Sequence, residues 1–210
     1  MIITYYAKAC VKVQQGDTVI GFNPISKDSK EKYARFGANI ALISRNAPAF
    51  NGAENLSYAD KLPFVVNGPG EYEVGGIFIK GYAVPHEGVY NTVYTLRLDE
   101  INLCHLGGLS AASLPPEVVE ALGEIDVLFV PVWKGDDIVA PLDAHKIANN
   151  LEPKIIIPMH NGDMGKDSAF AVFMKESGED AQEPAEKLTL KRKDLEGKEA
   201  SVVLLSTALG

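Results

Sequence analysis

Short apolar runs broken by polar turns fill the first half of the chain. Ile2 to Tyr6, Ala9 to Val13 and Thr18 to Phe22 are β-prone, with a turn at Gln15-Gly16-Asp17. After a polar stretch from Ser26 to Lys32, Ile40 to Ile43 is uninterruptedly apolar, the pattern of a buried strand. Residues 44 to 63 carry no sustained period and contain Pro48 and Gly52, which predicts a loop with room for one helical turn. Glu71 to Val74 and Ile77 to Val84 then flank Gly75-Gly76, and Thr92 to Leu98 and Ile101 to His105 flank Asp99-Glu100. Both read as hairpins of an antiparallel meander.

The second half changes period. Pro115 to Leu122 reads as a helix opened by proline, Val127 to Val132 as a strand, Leu142 to Leu151 as a helix and Ile155 to Ile157 as a strand. Strand, helix and strand in that order predict a parallel β-α-β unit. Ala169 to Lys175 predicts a further helix, residues 176 to 187 an acidic loop, and Leu188 to Lys191 and Val202 to Ser206 two closing strands. Meanders joined to β-α-β units fit an α/β (α+β) chain with two mixed sheets sandwiched between helices, and no linker divides residues 1–210. We expect one domain.

Composition narrows the function classes. A hydrophobic fraction of 46% supports a packed core and argues against wholesale disorder. The net charge of −8 counts against a nucleic-acid partner, because phosphate binding draws on clustered Lys and Arg. The one basic run, Lys191-Arg192-Lys193, reads as a solvated strand end. Cys10 and Cys104 sit in apolar strands and read as small buried hydrophobes, not as a disulfide framework. With no signal-like N-terminus and no apolar run of about 20 residues, we expect a cytoplasmic protein without a membrane span.

Several motifs in fixed order carry more. Gly16-Asp17-Thr18-Val19, Phe22-Asn23-Pro24, Gly68-Pro69-Gly70-Glu71-Tyr72-Glu73-Val74-Gly75-Gly76, Pro85-His86-Glu87 and Asn91-Thr92-Val93-Tyr94 lead the series. Cys104-His105-Leu106-Gly107-Gly108-Leu109, Ile125 to Val132 and Pro153 to His160 complete it. Together they resemble the metallo-β-lactamase superfamily, in particular its small bacterial Zn-dependent hydrolases similar to L-ascorbate-6-phosphate lactonase. The resemblance runs over roughly residues 1 to 165 and implies a four-layer αββα sandwich.

In that family a loop bearing His-x-His-x-Asp-His leaves the strand that ends here near residue 43. Imidazoles and carboxylates gathered there hold zinc, which acidifies a bound water for hydrolysis. The matching stretch of this chain is Ser44-Arg45-Asn46-Ala47-Pro48-Ala49-Phe50. By resemblance the four ligand positions are Arg45, Ala47, Ala49 and Phe50. Ala and Phe carry no donor atom, and arginine stays protonated. The bridging aspartate of the family's His-x-Gly-Asp is Gly108, and an expected aspartate after Phe22 is Asn23. The chain is therefore expected to have lost zinc and catalysis, leaving a binding or assembly role with no cofactor.

His86, His105 and His160 remain as residual candidate ligands. They are read first as packed polar residues lining the old cleft. The alternative is a metal-dependent hydrolase of phosphodiesters, lactones or similar esters with a rebuilt or mononuclear site on those three. His145 reads as a surface helix residue, Glu71 and Glu73 as a sheet motif, and Asp136-Asp137 as an exposed acidic turn. Arg45 is expected to turn outward or to pair with Glu87, Asp136 or Asp137, and the pocket to shrink. No ligand is identified; a homo-oligomer is the one partner the resemblance suggests.

Overall fold

The computed structural model describes residues 1–86, 88–135, 137–178 and 183–209. In chain order the strands are β1 (Ile2–Ala7), β2 (Cys10–Gln15), β3 (Thr18–Phe22), β4 (Ile40–Ile43), β5 (Phe64–Asn67), β6 (Gly70–Val74) and β7 (Ile77–His86). They continue with β8 (Val89–Leu98), β9 (Ile101–His105), β10 (Val127–Pro131), β11 (Ile155–Met159), β12 (Leu188–Thr189) and β13 (Ser201–Val202). The helices are α1 (Pro116–Leu122), α2 (Pro141–Asn150) and α3 (Ala169–Ser177).

The strands form two mixed sheets, ordered β12-β1-β2-β3-β4-β5 and β13-β11-β10-β9-β8-β7-β6. The glycine pair and the Asp99-Glu100 turn close the expected hairpins β6–β7 and β8–β9, and β10–α2–β11 is the expected parallel unit. One hydrophobic cluster joins Ile3, Val11, Ile20 and Leu42 of the first sheet to Ile79, Val93, Leu103 and Phe129 of the second. Each such side chain contributes about 1.5–3 kcal/mol on burial, which is what holds the sheets together. The arrangement is the mixed two-sheet architecture of an αββα sandwich.

Three local readings need correction. β5 falls beyond the expected loop, in a short stretch without alternation that nothing in the pattern marks as a strand. The C-terminal strands shrink to two residues each, with an isolated bridge from Ala185 to Leu205. Lys191-Arg192-Lys193 is not a strand end: Arg192–Leu195 is a 3-10 turn, with Asp194 accepting the Lys191 N–H at 2.8 Å.

That turn has a purpose. Asp126, buried just before β10, accepts the Asn102 N–H at 2.8 Å, Lys154 Nζ at 2.6 Å and Arg192 Nη1 at 2.7 Å. Burial opposes its charge, but these donors outweigh it and hold the carboxyl below its usual range. The staple fixes the N-terminal ends of β9, β10 and β11, so their C-terminal ends emerge in register at the opposite edge.

Candidate functional site

At that edge, His105 ends β9, β10 leads into Trp133, and His160 follows β11. Facing them, β3 ends before Asn23 and β4 ends before the loop from Ser44 to Gly52. Asn23 adopts φ +43°, which asparagine tolerates better than most residues, and its Oδ1 accepts the Ser44 N–H at 2.7 Å. Ser44 O accepts the Thr92 N–H at 2.8 Å, which ties this loop to β8 in the other sheet. The far end is laced down by Ser26 N–H to Pro48 O at 2.8 Å and Gly52 N–H to Pro24 O at 2.7 Å. A Cβ at Gly52 would collide with the backbone of Ile25 and Ser26, so only glycine permits this approach.

Arg45 leaves this loop inward and is 6% exposed. Its Nη1 donates to the carbonyls of Gly108 and Asp137, each at 3.1 Å, and pairs with Asp137 Oδ2 at 3.0 Å. The guanidinium also lies 5.2 Å from the centre of the Phe50 ring, a cation–π distance. Of the acids expected to pair with it, Asp137 does so; Glu87 and Asp136 lie outside the described residues. Asp137 thus serves as an ion-pair partner, with its own side chain 63% exposed.

Phe50 is buried and fills the space beside Gly108. An ideal Cβ on Gly108 would lie 2.6 Å from Phe50 Cε1 and Cζ and 2.9 Å from Arg45 Cδ. Ala47 and Ala49 are partly buried and pack against the core. The adjoining Gly107 sits at φ +66°, where a Cβ would meet Ser44 Oγ and Asn91 Oδ1 at 2.5 Å. Asn91 completes the brace, accepting the Gly108 N–H at 2.9 Å and donating to Leu106 O at 2.8 Å. Sequence reasoning assigned no role to Asn91 or Ser44, and only their place beside the quoted motifs could have flagged them.

The histidines occupy parallel settings. His105 is fully buried, stacked on Phe22 with ring centres 4.7 Å apart and planes at 6°. Its Nδ1 accepts the Gly107 N–H at 2.9 Å, which leaves the proton on Nε2. Burial pushes its pKa down to about 3, opposed by the backbone of Ala9. His160, also buried, accepts the Gly162 N–H on Nδ1 at 3.1 Å and donates from Nε2 to Leu205 O at 2.8 Å. Burial lowers its pKa too, opposed by Leu205 O and Asp163. Both rings are neutral near pH 7, and each already spends its Nδ1 lone pair on a backbone N–H. His86 ends β7; its side chain lies outside the described residues.

The remaining candidates sit apart. Glu71 pairs with Lys80 at 3.0 Å on the exposed side of β6 and β7, and Glu73 is exposed nearby. His145 is half-buried on α2, edge-on to Phe173 at 5.7 Å. Cys10 and Cys104 are free and buried, with the Cys10 thiol pushed up to about 12 and that of Cys104 raised further by burial. Among the described residues, no three His, Cys, Asp or Glu converge as a metal-binding group. Three buried polar atoms, Asn23 Nδ2, Ser44 Oγ and His105 Nε2, have no hydrogen-bond partner among them.

Two layered mixed sheets, with site loops gathered at one edge between them, define the architecture of a hydrolase superfamily. A model described as the β-lactamase superfamily domain matches residues 2–160, and the chain belongs to that superfamily. Among solved structures, a metallo-β-lactamase superfamily protein from Thermotoga maritima, classed as a candidate Zn-dependent hydrolase, is 31% identical with a TM-score of 0.75; the match covers 97% of each chain. An isothiocyanate hydrolase from Delia radicum gut bacteria shares the fold at 11% identity and a TM-score of 0.65, over 91% of this chain and 100% of its own. A candidate metal-dependent hydrolase from Parabacteroides distasonis does so at 18% identity and a TM-score of 0.63, over 86% and 90%. No curated protein sequence matches. Among the described residues, no helix is long and apolar enough to cross a membrane.

Proposed function

We propose that this protein keeps the superfamily scaffold without a hydrolytic metal centre and serves as a binding or assembly component of the cytoplasm. The observation that carries the reading is the packing of Arg45 and Phe50 against Gly108. At the positions matched to the ligand loop stand a guanidinium, two methyl groups and a phenyl ring, none of which donates a lone pair to zinc. The bridging carboxylate's position has no room for a Cβ. Two hydrolytic zinc ions do not fit these residues, so we derive no reaction through them.

The rebuilt-site alternative gains no support from the described histidines. A ligating imidazole must present a lone pair, and His105 and His160 each direct theirs to a backbone N–H. Hydrolysis assays with added Zn²⁺ or Mn²⁺ on phosphodiester, lactone and β-lactam substrates test the proposal. It expects rates equal to those of metal in buffer alone. Protein-dependent turnover that His160→Ala abolishes would overturn it.

A further inference from the structure

The edge strand β5 carries a feature independent of the metal question. Among the described residues it pairs on one side only, with β4. Tyr58 and Leu62 in the turn leading into it are 73% and 78% exposed, and Phe64 and Val65 on it are 54% and 46% exposed. An open strand edge flanked by large apolar side chains is a template for another strand.

We propose that β5 pairs antiparallel with β5 of a second copy of this chain, about a two-fold axis through Val65. The ladder supplies the register. Phe64 N–H donates to Asn39 O at 2.8 Å, so Phe64 and Val66 turn their peptide groups toward β4. By alternation, the N–H and C=O of Val65 and Asn67 face the free edge. With Val65 opposite Val65, each donates to the other's carbonyl. Asn67 N–H then meets the partner's Pro63 carbonyl. Proline has no N–H, so Pro63 only accepts there, and the Asn67 carbonyl at each end of the ladder is left to water.

Charge and area favour a second copy as the occupant. Residues 58 to 67 contain one acid, Asp60, and one base, Lys61, on a chain of net charge −8. This neutral strip brings two acidic molecules together with the least repulsion. The four exposed side chains offer on the order of 400 Å² per copy. Doubled and joined by the flanking backbone, that approaches the roughly 1,000 Å² of a specific interface.

Light scattering on the size-fractionated protein tests this directly. The wild type is expected to be a dimer at micromolar concentration. Val65→Pro, which removes the edge donor, and Val65→Lys, which charges it, are both expected to be monomers with unchanged circular dichroism. Under mild oxidation Val65→Cys should form an intermolecular disulfide, since paired residues lie about 5.5 Å apart, whereas Asn67→Cys should not. A monomeric wild type, a dimer that survives both Val65 substitutions, or cross-linking equal at positions 65 and 67 would overturn the proposal.

Discussion

The ring of Phe50 stands where any side chain on Gly108 would have to go, with 2.6 Å between two of its carbons and an ideal Cβ at that position. The phenyl ring of one loop and the bare backbone of the other are therefore a matched pair. The two positions are coupled through one volume, and the Arg45 guanidinium closes the remaining space by bonding to the Gly108 carbonyl.

Placing a carboxylate at Gly108 alone should therefore harm the protein. Gly108→Asp is expected to cost about 1–3 kcal/mol by overpacking, read as a lowered melting temperature. In a Phe50→Ala background the same change should cost less than half as much, a coupling that a double-mutant cycle measures. Equal costs in both backgrounds would show that the ring is not the obstacle.

Arg45 should matter more through its packing than through its ion pair. Asp137 is well exposed, and two carbonyls remain to accept from the guanidinium after Asp137→Asn, so that change should cost less than ~1 kcal/mol. Arg45→Ala removes a buried stem and its stacking on Phe50, and should cost roughly 2 kcal/mol or more. Urea denaturation of both variants checks the order.

Mild acid should destabilise the fold before the carboxylates titrate. His105 stays neutral when folded, its pKa pushed down to about 3 by burial, and burial lowers that of His160 in the same direction, whereas both take protons near pH 6.5 when unfolded. The unfolded state then binds more protons, so stability is unaffected above pH 6.5 and falls below it, by up to about 1.4 kcal/mol per pH unit for His105, with His160 adding a loss of the same sign. Asp126 has a depressed pKa and adds its own loss only at lower pH, as its carboxylate is protonated. Chemical denaturation at pH 7 and pH 5 should show the drop. It should shrink in His105→Leu.

Asp126 itself should be a stability residue without catalytic weight. Asp126→Ala strips the Asn102 N–H, Lys154 and Arg192 of a shared acceptor. Both cations are partly exposed and can rehydrate, so the expected cost is about 2–3 kcal/mol, short of a fully buried pair. Thermal unfolding reads it.

Much of this is legible in the sequence where local chemistry decides the outcome. Gly75-Gly76 announces its hairpin because that turn needs the left-handed backbone glycine adopts freely, and Asp99-Glu100 is marked by the apolar runs on either side of it. The side chains at Arg45, Ala47, Ala49, Phe50 and Gly108 supply the proposal of a lost metal centre from donor chemistry alone, since none offers zinc a lone pair. β5 is not legible: four residues after a proline, three of them exposed, show no alternation, and their strand identity comes from β4 alongside. Nor is the way Arg45 is held, since carbonyls at Gly108 and Asp137 are offered by any residue type. Lys191 to Lys193 misled because Arg192's partner, Asp126, lies 66 positions away.

Metal content is the most direct test of the central claim. Protein purified without chelator and dialysed against trace zinc should contain far less than one metal per chain by elemental mass spectrometry, with the same result for His160→Ala. Two ions per chain that survive gel filtration would contradict the account.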